Sequence, residues 1–250
     1  MRMDPPVVSR DVAAEYDKWH KEMSAGSGDP LRFPWYASVV EEFGSGLTGE
    51  VLEVGCGRGE FAHWLASTAP NARVTGIDFS ATAIEIANRR TSATPASVQF
   101  LVGDAQSLKF PDNSFDCLVS CECIEHVPSP RAMAAEIFRV LKPGGRFCLT
   151  TENYLNGMLL AWVRCWITKQ PFNSGSGVQP RENFFLFFQV QRYLSDAGLA
   201  VSRTRSSHYQ WLLLPRIDPA RLCTREFKAG WARLLAKPFG RHFSFFGHKP

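Results

Sequence analysis

Three groups of residues have types and spacings that suit chemistry. The stretch "EVGCGRGE" carries Glu53, then three alternating glycines at positions 55, 57 and 59, between an apolar run and a helical pattern. Asp78 in "GIDFS" and Asp104 in "VGDAQSL" each close another apolar run. A third group, "SCECIEHV", sets Glu122, Glu125 and His126 in an E-x-x-E-H pattern.

Glycines let a backbone approach a ligand closely and adopt positive φ, and the helix that follows offers free N–H groups. Dinucleotide sites share these features, but their fingerprint would need glycine at position 60, where Glu60 stands. Glu53 beside the turn would repel a pyrophosphate: two unit charges at about 4 Å interact by roughly 4 kcal/mol at an effective dielectric of 20. The same carboxylate would attract a cation. A ligand with an ammonium group, a sulfonium centre and an adenosine suits this turn better than NAD. Asp78 can accept both ribose hydroxyls, with Phe79 packing on adenine. Asp104 can accept from the adenine amino group, with the Ala105 N–H on the ring edge. Each aspartate alone would read as a turn former or helix cap; three acids at successive strand ends point to one ligand.

These groups need a sheet to align them. Residues 1–150 alternate strand-like runs (50–54, 73–77, 97–102, 115–121, 146–151) with helical patterns at about 58–68, 80–91 and 129–141. Such alternation predicts a doubly wound α/β fold with a mostly parallel sheet, whose ligands collect at the carboxyl ends of the strands. "LKPGGR" (141–146) reads as a helix stop, with Lys142 at the helix dipole and Gly144-Gly145 turning the chain. Two helices, about 10–23 and 34–43, precede the sheet. The chain divides into an N-terminal helical lid (1–49), an α/β core (50–151), an inserted acceptor-side segment (152–187) and a C-terminal completion of the sheet (188–250), with a final strand in "RHFSFFGHK".

The motifs together resemble the class I S-adenosylmethionine (SAM) dependent methyltransferases. "VLEVGCGRG", "GIDFS", "GDAQSLKFPDNSFD", "SCECIEHV" and "LKPGGRF" follow in that family's order across residues 50–151. The resemblance implies SAM as methyl donor and a seven-stranded sheet with one antiparallel strand. It implies cofactor contacts from Glu53, Gly55, Gly57, Asp78, Phe79, Asp104 and Ala105, flanked by Cys56 and Cys121, with Tyr16 of "EYDKW" covering the cofactor. The E-x-x-E-H run is similar to that of ubiquinone-biosynthesis O-methyltransferases, where such a run binds a divalent cation, so Glu122, Glu125 and His126 are candidate ligands for Mg or Zn. The competing readings are His126 and Glu125 as catalytic acid-base groups, or as residues that only hold the loop.

Transfer to a hydroxyl oxygen of a small molecule is the leading expectation. The alternatives are a nitrogen, carbon or lipid-linked acceptor, a nicotinamide-dependent oxidoreductase, or a non-catalytic SAM-binding partner protein. Residues 1–150 hold 14 Lys/Arg against 19 Asp/Glu, and residues 151–250 hold 14 against 5, within a net charge of +4. The basic C-terminal part therefore suits an anionic or lipid-linked acceptor. Its "REFKAGWARLLAKPF" pattern could rest on an anionic membrane surface. No base-stacking aromatic set marks nucleic acid as a partner. Seven cysteines without paired spacing read as reduced, buried thiols. With no apolar segment of signal-peptide or membrane-spanning type, the expected location is the cytoplasm. Tyr154, Trp162 and Trp166, with Glu152 and Asn153, are the expected acceptor-side wall.

Overall fold

The structure, a computed structural model, describes residues 10–22, 30–91, 98–153, 163, 166–167, 169, 183, 185–209 and 237–250. Strands β1 (Gly49–Val54), β2 (Ala72–Asp78), β3 (Val98–Val102), β4 (Phe115–Cys121), β5 (Leu141–Glu152), β6 (Ala200–Tyr209) and β7 (Gly240–His248) form one sheet in the order β3-β2-β1-β4-β5-β7-β6. The first five are mutually parallel, and β7 runs antiparallel to both neighbours. Strand order reverses between β1 and β4, the position at which open α/β sheets hold ligands.

Helices cover both faces: α1 (Arg10–Glu22), α2 (Pro34–Phe43), α3 (Glu60–Thr68), α4 (Ala81–Thr91), α5 (Pro130–Val140) and α6 (Phe187–Asp196). The two-residue period of a strand splits each central strand between two cores. Leu52, Leu118 and Phe245 pack with Met133, Ile137 and Leu194 on one face. Val51, Cys117 and Phe246 pack with Val39, Phe61 and Leu65 on the other. Burial on both sides explains why these strands read as continuous apolar runs rather than alternating ones.

Two local features differ from the sequence expectation. The chain leaves α5 at Val140 and pairs at once, Leu141 with Phe115, before a register shift carries it to the Cys117–Arg146 pair. The glycines at 144 and 145 lie within that irregular stretch rather than in a turn ahead of the strand, with Gly144 at φ 76°. Lys142 does not serve the helix end; its Nζ is 2.8 Å from both carboxylate oxygens of Asp116. The inserted segment lies almost wholly outside the described residues, as do Tyr154, Trp162 and the tail from 210 to 236. Trp166 is described and is 66% exposed, so it lines no wall among the described residues. No described helix is long and apolar enough to cross a membrane.

The antiparallel course of β7 matters for the site. Its first residues lie beside the last residues of β5, with His242 opposite Glu152 and His248 opposite Arg146. β7 therefore begins at the edge where the parallel strands end.

Candidate cofactor and acceptor site

The first β–α junction is tied to the second strand by backbone bonds: Gly55 N and Cys56 N both donate to Ile77 O at 2.9 Å. Gly55, Gly57 and Gly59 adopt left-handed φ values of 77°, 52° and 76°, which turn the chain back over the strand end. At Gly59, a Cβ would also meet the Phe100 ring at 2.6 Å and Ala87 at 2.9 Å. The turn thus packs α3 directly on β3 and α4.

Glu53 is 1% exposed beneath this turn. The Ala62 N–H bonds its carboxylate, yet burial, followed by repulsion from Glu60 and Asp78, pushes its pKa well above the usual carboxylate range. Its Oε2 has no hydrogen-bond partner among the described residues. A buried carboxylate oxygen without a donor is costly, and a ligand ammonium would supply the missing donor and charge.

Asp78 accepts from Gly57 N at 3.0 Å and Ser80 N at 2.9 Å. Burial outweighs these bonds and raises its pKa to about 6. Beside it, Phe79 meets Tyr16 edge-on at 4.8 Å between ring centroids. Tyr16 is buried and also approaches Trp19 and His126. α1 is fastened here by Asp17, which accepts from Ser80 Oγ at 2.5 Å and Thr82 N at 3.0 Å. Its last turn reaches the glycines, where Arg58 donates to the His20 carbonyl. Burial, then the Arg58 charge, lowers the His20 pKa to about 4, so the ring is neutral at pH 7. Asp104 Oδ1 accepts from Gln106 N at 2.9 Å and Gln106 Nε2 at 3.0 Å, and Ala105 is buried behind it. Cys56 and Cys121 are buried with thiol pKa values driven up chiefly by that burial, so neither is a reactive thiolate.

The E-x-x-E-H run divides between two pairs. Glu122, at a left-handed φ of 49°, accepts from Thr150 Oγ1 at 2.9 Å and has His242 Nδ1 at 3.3 Å. Burial alone would raise its pKa, but the His242 charge and the bonds from His242 and Thr150 hold it below the ordinary value. Glu125 lies deeper, accepting from Thr151 Oγ1 at 2.9 Å, with His126 Nε2 at 3.8 Å. Burial, followed by repulsion from Glu122 and Glu152, pushes the Glu125 pKa well above the usual carboxylate range. The loop is latched from the far side by Asn183, whose N donates to Glu125 O at 2.7 Å and whose Nδ2 donates to Val127 O at 2.8 Å.

Glu122, Glu125 and His126 do not bring three ligand atoms within 4.8 Å of one another, so the run does not form a cation site in this arrangement. The structure groups Glu122 instead with Glu152 and His242, whose ligand atoms lie within 4.8 Å of one another. Both carboxylates of that group already have protein partners, His242 Nδ1 at 3.3 Å from Glu122 Oε2 and Arg241 NH2 at 3.0 Å from Glu152 Oε1.

The structure brings Tyr16, Glu53, Gly55, Cys56, Gly57, Asp78 and Phe79 together around one junction, with Asp104 and Ala105 at the end of the next strand but one. His242, Trp35 and Tyr36 escape the sequence reading. Trp35 lies over the His242 ring at 5.2 Å, and Tyr36 stacks on Phe61 at 4.2 Å. The signal for His242 is its place at the start of the last strand, which reaches the ligand edge only because that strand is antiparallel.

Residues 52–149 match the family model described as a methyltransferase domain. The class I SAM-dependent methyltransferase resemblance is thereby borne out for the core. Among curated proteins, the chain is 35% identical over 142 residues to the demethylmenaquinone methyltransferase of Symbiobacterium thermophilum, covering 55% of each. It is 42% identical over 100 residues to the fatty-acid O-methyltransferase of Mycolicibacterium smegmatis, covering 40% of this chain and 36% of that one. The matches span about half the length of the curated relatives or less. Among solved structures, the Haemonchus contortus phosphoethanolamine N-methyltransferase 2 in complex with SAM superimposes with a TM-score of 0.65 at 21% identity, covering 96% of this chain and 57% of that one. That likeness shows the fold.

Proposed function

We propose that this chain, built on a methyltransferase-domain core, transfers the methyl group of SAM to a hydroxyl oxygen of a small-molecule acceptor. The observation that carries the cofactor reading is the Glu53 carboxylate, 1% exposed and with one oxygen lacking a donor, beneath a left-handed glycine turn. A pyrophosphate would put negative charge against it; the methionyl ammonium would neutralise it. Asp78 is the proposed partner of the ribose hydroxyls, Phe79 and Tyr16 of the adenine, and Asp104 with Ala105 of its edge.

SAM supplies a methyl group on a positively charged sulfur that is its own leaving group. The chain's work is to align the acceptor, to keep water out, and to take a proton where the acceptor must lose one. Tyr16, Trp35 and Tyr36 bring apolar surface over the strand ends from the two N-terminal helices, which suits exclusion of water. No metal enters the proposed step, since Glu122 and Glu152 already face His242 and Arg241.

A second reading has a ring carbon as acceptor, activated by an adjacent hydroxyl. The relative named as a demethylmenaquinone methyltransferase favours it. Calorimetric titration with SAM and with NAD tests the cofactor. Labelled-methyl transfer to a demethylmenaquinol, a simple hydroquinone and a long-chain fatty acid then tests the acceptor, with product mass spectra separating oxygen from carbon. Binding of SAM alone, with transfer insensitive to chelators, is the expected result. NAD binding, or SAM binding with no transfer to any acceptor, would overturn the reading.

A further inference from the structure

Two histidine–glutamate pairs lie at the ligand edge, and they differ in what they can do. In the pair evident from sequence, His126 Nε2 is 3.8 Å from Glu125 Oε1. Burial and two neighbouring carboxylates disfavour the charge on Glu125. At that longer separation it is the weaker partner for an imidazolium. The second pair joins residues 120 positions apart: Glu122 after β4 and His242 near the start of β7, with Glu122 Oε2 3.3 Å from His242 Nδ1. Its carboxylate is ionised, and its other oxygen is fixed by Thr150 Oγ1 at 2.9 Å.

Resting on the methyl-transfer reading, the geometry points to His242 as the group that takes the acceptor's proton, with Glu122 as the positioning residue that fixes its tautomer. Four observations converge on this. Glu122 is held at φ 49°, a left-handed conformation that non-glycine residues seldom adopt and that functional sites tend to retain. With Nδ1–H directed at a carboxylate, the imidazole lone pair is on Nε2, the tautomer a base requires. Glu122 directly precedes Cys123, whose side chain packs against Gly55 of the glycine turn, so the pair adjoins the proposed cofactor cleft. Trp35 covers the His242 ring at 5.2 Å, and the ring is largely withdrawn from solvent. The other ionisable groups around the pair are Glu125 and His126 on the loop after β4, Glu152 at the end of β5 and Arg241 beside His242 on β7.

The step balances without a further reagent. The acceptor O–H proton passes to His242 Nε2, and the freed electron pair on oxygen forms the bond to the methyl carbon; where the bond forms at a ring carbon instead, that carbon then loses its C–H proton as the oxygen regains one. The carbon–sulfur bond breaks with its electrons left on sulfur, giving neutral S-adenosylhomocysteine. Glu122 offsets the imidazolium charge until the proton leaves to solvent. The inferred acceptor class follows: a weakly acidic hydroxyl compound such as a hydroquinone, rather than a fatty-acid carboxylate that is already ionised.

The test uses His242→Asn, whose amide can still donate to Glu122 but cannot take a proton at neutral pH, and Glu122→Gln, each with SAM affinity measured by calorimetry. With the hydroquinone acceptor, His242→Asn should lower kcat by about 10²- to 10⁴-fold, leave KM and SAM affinity within about threefold, and remove the rise of kcat with pH. Glu122→Gln should lower kcat less and shift that rise. Added imidazole should restore part of the His242→Ala rate. An acceptor phenol already ionised at the assay pH should be methylated by His242→Asn at nearly the wild-type rate. The proposal is overturned if His242→Asn keeps its kcat, if it loses SAM binding along with activity, or if Mn²⁺ or Co²⁺ binds the wild type stoichiometrically through His242. Preference for the fatty acid with no effect of the variant also overturns it. Absence of transfer by the wild type to every acceptor would instead remove the methyl-transfer reading on which it rests.

Discussion

The Gly57 N–H donates to Asp78 Oδ2 at 3.0 Å, so the glycine turn after β1 and the acid ending β2 form one unit before any ligand arrives. That bond holds a carboxylate in a site that disfavours its charge. Burial raises the Asp78 pKa to about 6 in the folded protein, against 3.8 for an ordinary aspartate. An acid raised in the folded state contributes stability that is full below its unfolded pKa and is lost as pH rises through the folded one. Asp78→Asn, similar in shape to the protonated acid, should therefore stabilise the ligand-free protein more at pH 7 than at pH 5, by about 1 kcal/mol in the difference. It should also weaken SAM binding if the ribose hydroxyls are its partners. Thermal melts at the two pH values with and without SAM check both parts. His20, lowered to about 4 by burial and then by Arg58, pulls the opposite way over the same range, which is why the variant must be compared with the wild type at each pH.

Glu53→Gln makes the same argument at the junction itself. Burial, then Glu60 and Asp78, raise the Glu53 pKa, so its charged form weighs on the ligand-free fold increasingly as pH rises. The amide should raise the ligand-free melting temperature at pH 8 and lower SAM affinity roughly 10- to 100-fold, the worth of a hydrogen bond to a charged group. Calorimetry in parallel with melts reads both. A variant that gains stability without losing affinity would assign Glu53 a structural role only.

Asp17 links the N-terminal helix to the cofactor side. Its Oδ1 accepts from Thr82 N at 3.0 Å and from Ser80 Oγ at 2.5 Å, so a residue of α1 bonds the start of α4. Asp17→Ala should cost about 1 kcal/mol, as loss of a helix cap does. By loosening the seat of Tyr16 on Phe79, it should also speed SAM dissociation more than it slows association. Stopped-flow tryptophan fluorescence during SAM binding would check this, with Trp19 beside Tyr16 as a reporter at 6.3 Å.

The proposed cofactor half of the site was legible because its residues are local: each sits at or beside the end of its own element, and one period-two or helical pattern places it. The acceptor half was not, because its partners are distant in sequence and depend on strand direction. Glu122 reads as one member of E-x-x-E-H until β7 brings His242 to it across 120 positions. The Lys142 reading failed for a similar reason. Its partner Asp116 lies 26 residues away and is brought close by the pairing of β4 with β5. The basic C-terminal pattern falls largely on residues 210–236, outside the described residues; of its cations, Arg241 pairs with Glu152.

Gly59 and Gly144 allow strain and steric contact to be separated. Both have φ 76°, a region that L side chains rarely adopt, so alanine at either meets a backbone penalty, on the order of 1–2 kcal/mol for a left-handed conformation. A Cβ on Gly144 finds nothing within 4 Å, whereas on Gly59 it meets Phe100 at 2.6 Å and Ala87 at 2.9 Å. Gly144→Ala should cost that penalty alone and leave SAM affinity unchanged. Gly59→Ala should cost roughly 1–3 kcal/mol more by overpacking, and it should weaken SAM binding because the turn carrying Gly57 must move. Denaturant unfolding of the two variants and of Gly59→Ala with Phe100→Leu checks the division. If the smaller side chain at position 100 returns none of the excess, the contact with Phe100 is not what requires glycine at position 59.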